Sequence, residues 1–300
     1  MGNDNDRRVI IITGPTCSGK TVLSLEYVSK FNGEIVNCDS LQVYDELKIL
    51  TAYPTEDEYS AVLHHLFGFL KNHEKINAYT WSTLAAQKIT EIFQRNRVPI
   101  IVGGTGLFIS TLTEGVSPLP VVSQETRSLA NALAKEDYDE LCRRVYEGDP
   151  NIQKVIPKEK HRQMIRAFEI YTETKKSILY FYGLPRIKFL DAQYETNIIA
   201  LERSVLYERI NRRVENMMKL GAIDEVQDLL LRIGHNNLPR QIIFNKFPIF
   251  QALGAKEIVS YIDGEINCPD LIEAIQTTTR HYAKRQLTWF KTKMQSEFES

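Results

Sequence analysis

Arg8-Val9-Ile10-Ile11-Ile12-Thr13 runs directly into Gly14-Pro15-Thr16-Cys17-Ser18-Gly19-Lys20-Thr21. The first six residues are a continuous apolar stretch of strand length, which suits a strand buried on both faces in a parallel sheet. The next eight fit the pattern G-x-x-x-x-G-K-S/T. Glycines at those positions let the backbone wrap closely, so that successive N–H groups face a phosphate chain. The helix that begins near Lys20 aims its positive end at the same place. Lys20 adds a point charge, and the Thr21 hydroxyl suits Mg²⁺ or a phosphate oxygen. Such a loop binds a diphosphate or triphosphate without naming the reaction. Nucleotide kinases, ATPases and enzymes acting on other pyrophosphates all remain open.

Working outward, Thr21 to Phe31 reads as a helix ended by Gly33, and Glu34 to Asn37 as a second strand. Ala85 to Arg95 reads as a helix, and Val98 to Val102 as a third strand running into Gly103-Gly104-Thr105-Gly106. This order is that of an α/β nucleotide-binding core. Residues 125–182 are rich in Glu, Lys, Arg and Leu and read as helices. Strand character returns between Asp191 and Leu201. A helix follows over 204–233, interrupted near Gly221, and a last helix runs from Pro269-Asp270 to about Met294. The expected architecture is α/β: a P-loop kinase-like parallel sheet core formed by residues 1–120 and 191–300, with a helical insertion domain at 121–190. Carboxyl ends of neighbouring strands open on one crevice. Asp39 and Thr105, each just beyond a strand, are therefore expected near the phosphate loop. An Asp after a strand is also a common turn or cap residue.

The chain has 300 residues, with 37 Lys and Arg against 38 Asp and Glu, a net charge of -1. That total argues against a polyanionic partner, but it hides a split. Residues 1–150 hold 14 basic and 20 acidic residues, net -6, whereas residues 151–300 hold 23 and 18, net +5. On the last helix Arg280, Lys284, Thr288 and Lys291 form a polar, basic stripe opposite Ala283, Leu287, Phe290 and Met294. Lys158, Lys160, Arg162 and Arg166 form a second basic cluster. The four cysteines, Cys17, Cys38, Cys142 and Cys268, show no zinc-ligand spacing. No apolar run approaches the ~20 residues that span a bilayer. The polar segment from Met1 to Asp6 is no signal peptide, so a cytoplasmic location is expected.

Together these stretches resemble the tRNA dimethylallyltransferase family, also called tRNA isopentenyltransferases. The resemblance rests on Gly14–Thr21, Asp39-Ser40-x-Gln42-Val43-Tyr44, His64-His65-Leu66, Val102-Gly103-Gly104-Thr105-Gly106-Leu107 and Ser117-Pro118-Leu119-Pro120. It continues through Arg166-Ala167-Phe168-Glu169-Ile170-Tyr171, Leu206-Tyr207-x-Arg209-Ile210-Asn211-x-Arg213-Val214 and Tyr282-Ala283-Lys284-Arg285-Gln286-Leu287-Thr288-Trp289-Phe290. These motifs occur in order over nearly the whole chain. The departures are Cys17 for alanine, Phe108 for Tyr, Tyr53 where a Lys-Pro-Thr context is usual, Phe67-Gly68 for Ile-Asp, and Ala255 for Tyr. The chain stops at Ser300 without the zinc-finger extension of eukaryotic relatives and so looks like the bacterial form.

The resemblance implies transfer of a dimethylallyl group from dimethylallyl diphosphate to the exocyclic N6 amine of the adenine 3′ of the anticodon, in tRNAs reading codons that begin with U. It implies a monomer that takes tRNA through its anticodon stem-loop, with Mg²⁺ near Thr21 or Ser18. Gly14, Pro15, Thr16, Cys17, Ser18, Gly19, Lys20 and Thr21 would hold the diphosphate. Asp39, Thr105 and Arg209 would serve catalysis, Asp39 as hydrogen-bond acceptor and general base. Contacts to tRNA would come from Asp39, Ser40, Leu41, Gln42, Thr105, Arg127, Arg162, Gln163, Met164, Ile165, Arg166, Lys284, Arg285, Gln286, Thr288 and Lys291. The alternative is a P-loop nucleotide kinase or small-molecule phosphotransferase, which has no need of the basic stripe.

Overall fold

The computed structural model describes residues 7–234 and 238–294. Five parallel strands form one sheet in the order β3-β2-β4-β1-β5. They are β1 (Arg8–Thr13), β2 (Gly33–Asn37), β3 (His64–His65), β4 (Val98–Val102) and β5 (Gln193–Ile198). Ile10, Ile11 and Ile12 of β1 lie opposite Ile100, Ile101 and Val102 of β4. These central strands are buried on both faces, which is why they read as unbroken apolar runs.

Before the insertion the helices are α1 (Lys20–Phe31), α2 (Lys48–Thr51), α3 (Glu56–Ala61), α4 (Ala78–Gln94) and α5 (Gly106–Glu114). The helical stretch holds α6 (Gln124–Glu136), α7 (Tyr138–Gly148), α8 (His161–Thr174) and α9 (Ile178–Tyr182). After β5 come α10 (Arg203–Lys219), α11 (Ala222–Arg232), α12 (Arg240–Lys246), α13 (Ala255–Ile262) and α14 (Cys268–Lys293). Among the described residues no helix is long and apolar enough to cross a membrane.

The chain divides into two compact units. One holds the sheet and comprises the described residues of 1–113 and 189–300; the other is Glu114–Lys188. The second unit packs α6 to α9 around Leu141, Val145, Met164, Phe168 and Ile178. Its two ends lie side by side, because Val116 and Ile187 exchange backbone hydrogen bonds of 3.0 and 2.8 Å.

Four local readings change. Gly33 does not end α1; Asn32 does so in the left-handed conformation, and Gly33 begins β2 packed directly beneath Ile100. Helix α4 starts at Ala78 rather than Ala85, because Asn77 caps it by accepting from the Thr80 N–H at 2.9 Å. The strand expected within 191–201 closes at Ile198. The two-residue β3 is a strand that periodicity cannot detect.

Candidate active site

The carboxyl ends of β2, β4 and β1 are adjacent, and the loops that leave these strands are tied to one another. Thr13 Oγ1 donates to the Gly103 carbonyl at 2.8 Å, and the Thr105 N–H donates to the Cys38 carbonyl at 3.1 Å. No side chain fits at Gly103, where a Cβ would run into the Cys38 carbonyl. The Asp39 N–H donates to Asn37 Oδ1 at 2.8 Å, and Asp39 Oδ1 accepts from the Leu41 N–H at 2.9 Å. This fixes the carboxylate at the rim.

In the phosphate loop, Lys20 Nζ donates to the carbonyls of Gly14 and Pro15 at 3.1 and 2.7 Å. Burial lowers its pKa to about 8; Asp39 and Cys17 oppose the drop, and Arg213 adds to it. Ser18 Oγ is buried with no hydrogen-bond partner. Helix α1 begins at Lys20, so its first-turn N–H groups lack intrahelical acceptors. Two arginines of α10 reach the loop: Arg209 Nη1 donates to the Ser18 carbonyl at 3.3 Å, and Arg213 Nη1 to Thr16 Oγ1 at 2.8 Å.

These groups line one cavity of about 530 Å³ within the sheet-containing unit. Four cations, Lys20, Arg209, Arg213 and Arg285, face it with a single carboxylate, Asp39. Leu50, Pro54, Phe67, Ile35 and Leu253 add an apolar wall. A small anion with an apolar tail fits that combination of charge and surface.

A family model described as IPP transferase matches residues 42–293. A tRNA dimethylallyltransferase of Rickettsia felis is 36% identical over 97% of this chain and 92% of its own length. One of Allorhizobium ampelinum is 35% identical, covering 99% of this chain and 95% of its own. The chain belongs to the IPP transferase family.

Solved structures share the fold. A eukaryotic dimethylallyltransferase, crystallised acting on tRNA, superposes with a TM-score of 0.84 at 28% identity, over 98% of this chain and 72% of that one. The tRNA delta(2)-isopentenylpyrophosphate transferase of Staphylococcus epidermidis gives 0.64 at 35% identity, over 96% and 91%. The α/β core expected from the phosphate loop is thus that of the IPP transferases.

Within this IPP transferase fold, Thr16 to Thr21, Asp39, Leu41, Gln42, Arg209, Arg285 and Gln286 meet at the cavity. Thr105 and Ser40 do not line it. They hold each other, the Ser40 N–H donating to Thr105 Oγ1 at 3.0 Å. Gln42 turns its amide on α2, donating to the carbonyls of Thr51 and Ala52 at 3.1 and 2.8 Å. Arg127, Arg162 and Gln163 are exposed on the helical unit.

Three residues expected to touch tRNA are engaged within the protein. Met164 is fully buried in the core of the helical unit, one residue round α8 from its exposed face. Arg166 is half-buried, donating to Glu169 at 2.7 Å and to the Pro120 carbonyl at 3.4 Å. Gln286 is buried between the phosphate loop and Gly104. Lys284, Arg285, Thr288 and Lys291 do form an exposed face of α14, whereas Arg280 is held by Asn211 at 2.8 Å.

Sequence reasoning passed over Arg213 and Tyr282, both of which line the cavity. Arg213 stands four residues after Arg209 and so on the same helix face, a signal that the spacing alone carries. Two family departures find a reason. Phe108 is buried and stacked on Trp81 at 4.7 Å, where a hydroxyl would need a partner. Phe67 joins Tyr53, Tyr59 and His64 in an aromatic cluster at the cavity edge. Nothing in the structure explains alanine at 255.

Proposed function

We propose that this chain transfers a dimethylallyl group from dimethylallyl diphosphate to the N6 amine of the adenine 3′ of the anticodon in tRNA. The observation that carries this reading, in a chain of this family, is a cavity with four cations, one carboxylate and an apolar wall beside a phosphate loop.

The reaction breaks the bond between C1 of the donor and its diphosphate oxygen, and forms a bond from C1 to N6. Negative charge grows on the departing diphosphate. The amides that open α1, with Lys20, Arg209 and Arg213, are aimed at that charge before it develops. The N6 proton passes to the Asp39 carboxylate, whose Oδ2 is the candidate acceptor because Oδ1 is engaged by Leu41. An aromatic amine is a weak nucleophile, so holding it in line with C1 matters as much as basicity. The adenine reaches the cavity only by leaving its stack, at a cost of a few kcal/mol.

Mg²⁺ fits the loop, since Ser18 Oγ is a buried hydroxyl without a partner and Thr21 is exposed at the start of α1. Those two hydroxyls would hold it, and when bound it would neutralise part of the diphosphate charge. Asp39 is the one carboxylate that lines the same cavity.

With labelled dimethylallyl diphosphate, Mg²⁺ and unmodified tRNA bearing adenines 3′ of the anticodon, label is expected in the tRNA without ATP. No transfer, together with phosphate transfer from ATP, would overturn the reading in favour of a phosphotransferase. Asp39→Asn keeps the size and the Leu41 contact; it is expected to slow turnover by ~10²–10⁴ while tRNA affinity holds. Turnover at the wild-type rate would remove Asp39 as the base.

A further inference from the structure

Helix α14 presents Lys284 and Thr288 outward, yet Gln286 lies on the opposite side of the helix and is buried. Both ends of its carboxamide are used. Oε1 accepts from the Thr16 N–H at 2.9 Å, and Nε2 donates to the Gly104 carbonyl at 2.9 Å. Room for it exists because Gly104 has no side chain; a Cβ there would collide with Nε2.

The point it grips is a demanding one. Cys17, the next residue of the loop, has φ 64°, a left-handed conformation uncommon for a residue other than glycine. Such a conformation persists only when its surroundings hold it. Thr16 is held twice, by Gln286 through its N–H and by Arg213 through its hydroxyl. The Thr16 N–H is thereby engaged by protein.

We propose that Gln286 is a positioning residue for diphosphate binding, locking the bend of the phosphate loop to the end of β4 from within α14, and that it does not contact tRNA. This rests on the proposed function, in which the loop binds the donor's diphosphate.

Three variants test it. Gln286→Met keeps the length and removes both hydrogen bonds. Gln286→Glu keeps an acceptor for Thr16 but loses the donor to Gly104. Gly104→Ala leaves Gln286 in place and displaces its amide, and any one of the three that folds decides the matter. The readouts are the Kd for inorganic pyrophosphate with Mg²⁺ by calorimetry, KM and kcat for dimethylallyl diphosphate, and the Kd for unmodified tRNA. Gln286→Met is expected to weaken pyrophosphate binding and raise KM by about tenfold, with kcat and tRNA affinity within about twofold. Gln286→Glu is expected to lose more, because it also sets a carboxylate beside the diphosphate. Gly104→Ala is expected to share the pyrophosphate defect.

Wild-type pyrophosphate affinity in the folded variants overturns the proposal. So does a loss of tRNA affinity as large as the loss for pyrophosphate. A wild-type protein that binds pyrophosphate but transfers no prenyl group would instead sink the proposed function, and the pyrophosphate ratios would still decide the role of Gln286.

Discussion

Lys20 illustrates what a buried cation does in a site waiting for an anion. Burial brings its pKa to about 8, although the Asp39 carboxylate opposes the drop and the Gly14 and Pro15 carbonyls accept from its ammonium. In the unfolded chain its pKa lies near the usual lysine value of ~10.4. The unfolded state therefore binds more protons between about pH 8 and 10. The cost of burying this charge is full below pH 8 and fades as pH rises through that window. A bound diphosphate supplies the missing counter-charge and lifts the pKa again. Once the proton exchange of pyrophosphate itself is subtracted, its binding should then take up more protons at pH 9 than at pH 7. Calorimetry in buffers of different ionisation enthalpy measures this directly, and equal uptake at both pH values would contradict it. The motif named Lys20 from sequence, because its spacing is local. Arg213 was harder to see, since its partner Thr16 is 197 residues away and only folding brings α10 to the loop.

Among elements, the edge of the sheet is held by charge. Glu34 of β2 is fully buried, and its carboxylate meets His65 of β3 at 2.7 Å and Arg95, at the end of α4, at 2.6 and 3.0 Å. Burial pushes the carboxyl up, but hydrogen bonds from Arg95 and His65 outweigh it, and the net shift is downward. Its stabilising contribution is thus present above the usual carboxylate range and disappears as pH falls through the lowered value. Arg95→Ala leaves that charge with His65 and the more distant Arg97 at 3.7 Å. The expected cost is about 2 kcal/mol, below the ~3–5 kcal/mol of a fully buried pair because Arg95 stands half in water. Urea unfolding should show this deficit at pH 7 and a smaller one as pH falls and Glu34 becomes neutral. A deficit independent of pH would mean that Arg95 acts through packing alone. The long elements were legible: β1, β4 and α14 announce themselves by apolar runs and caps. A two-residue strand fixed by a buried Glu–His contact was not, since neither periodicity nor propensity registers a tertiary hydrogen bond.

At the scale of the whole molecule, charge separates by task. The net -1 taken whole argues against a polyanionic partner, yet it is the cancellation of -6 in the first 150 residues and +5 in the rest. The cavity draws cations from both halves: Lys20 from the first, and Arg209, Arg213 and Arg285 from the second. Lys284 and Lys291 lie outside its lining, exposed on α14. If α14 lies along tRNA phosphates, these two lysines displace counterions when the complex forms. Each phosphate contact adds ~0.7–0.9 to the magnitude of the log–log salt slope of affinity. Lys284→Ala with Lys291→Ala should therefore reduce that slope by about 1.5, with the largest loss of tRNA affinity at low salt. Pyrophosphate affinity should not change, because neither lysine faces the cavity, and this separates the pair from Gln286 on the same helix. Titrating tRNA binding against salt for the wild type and the double variant measures the difference. An unaltered slope would leave α14 as a scaffold that reaches the chemistry only through its buried side.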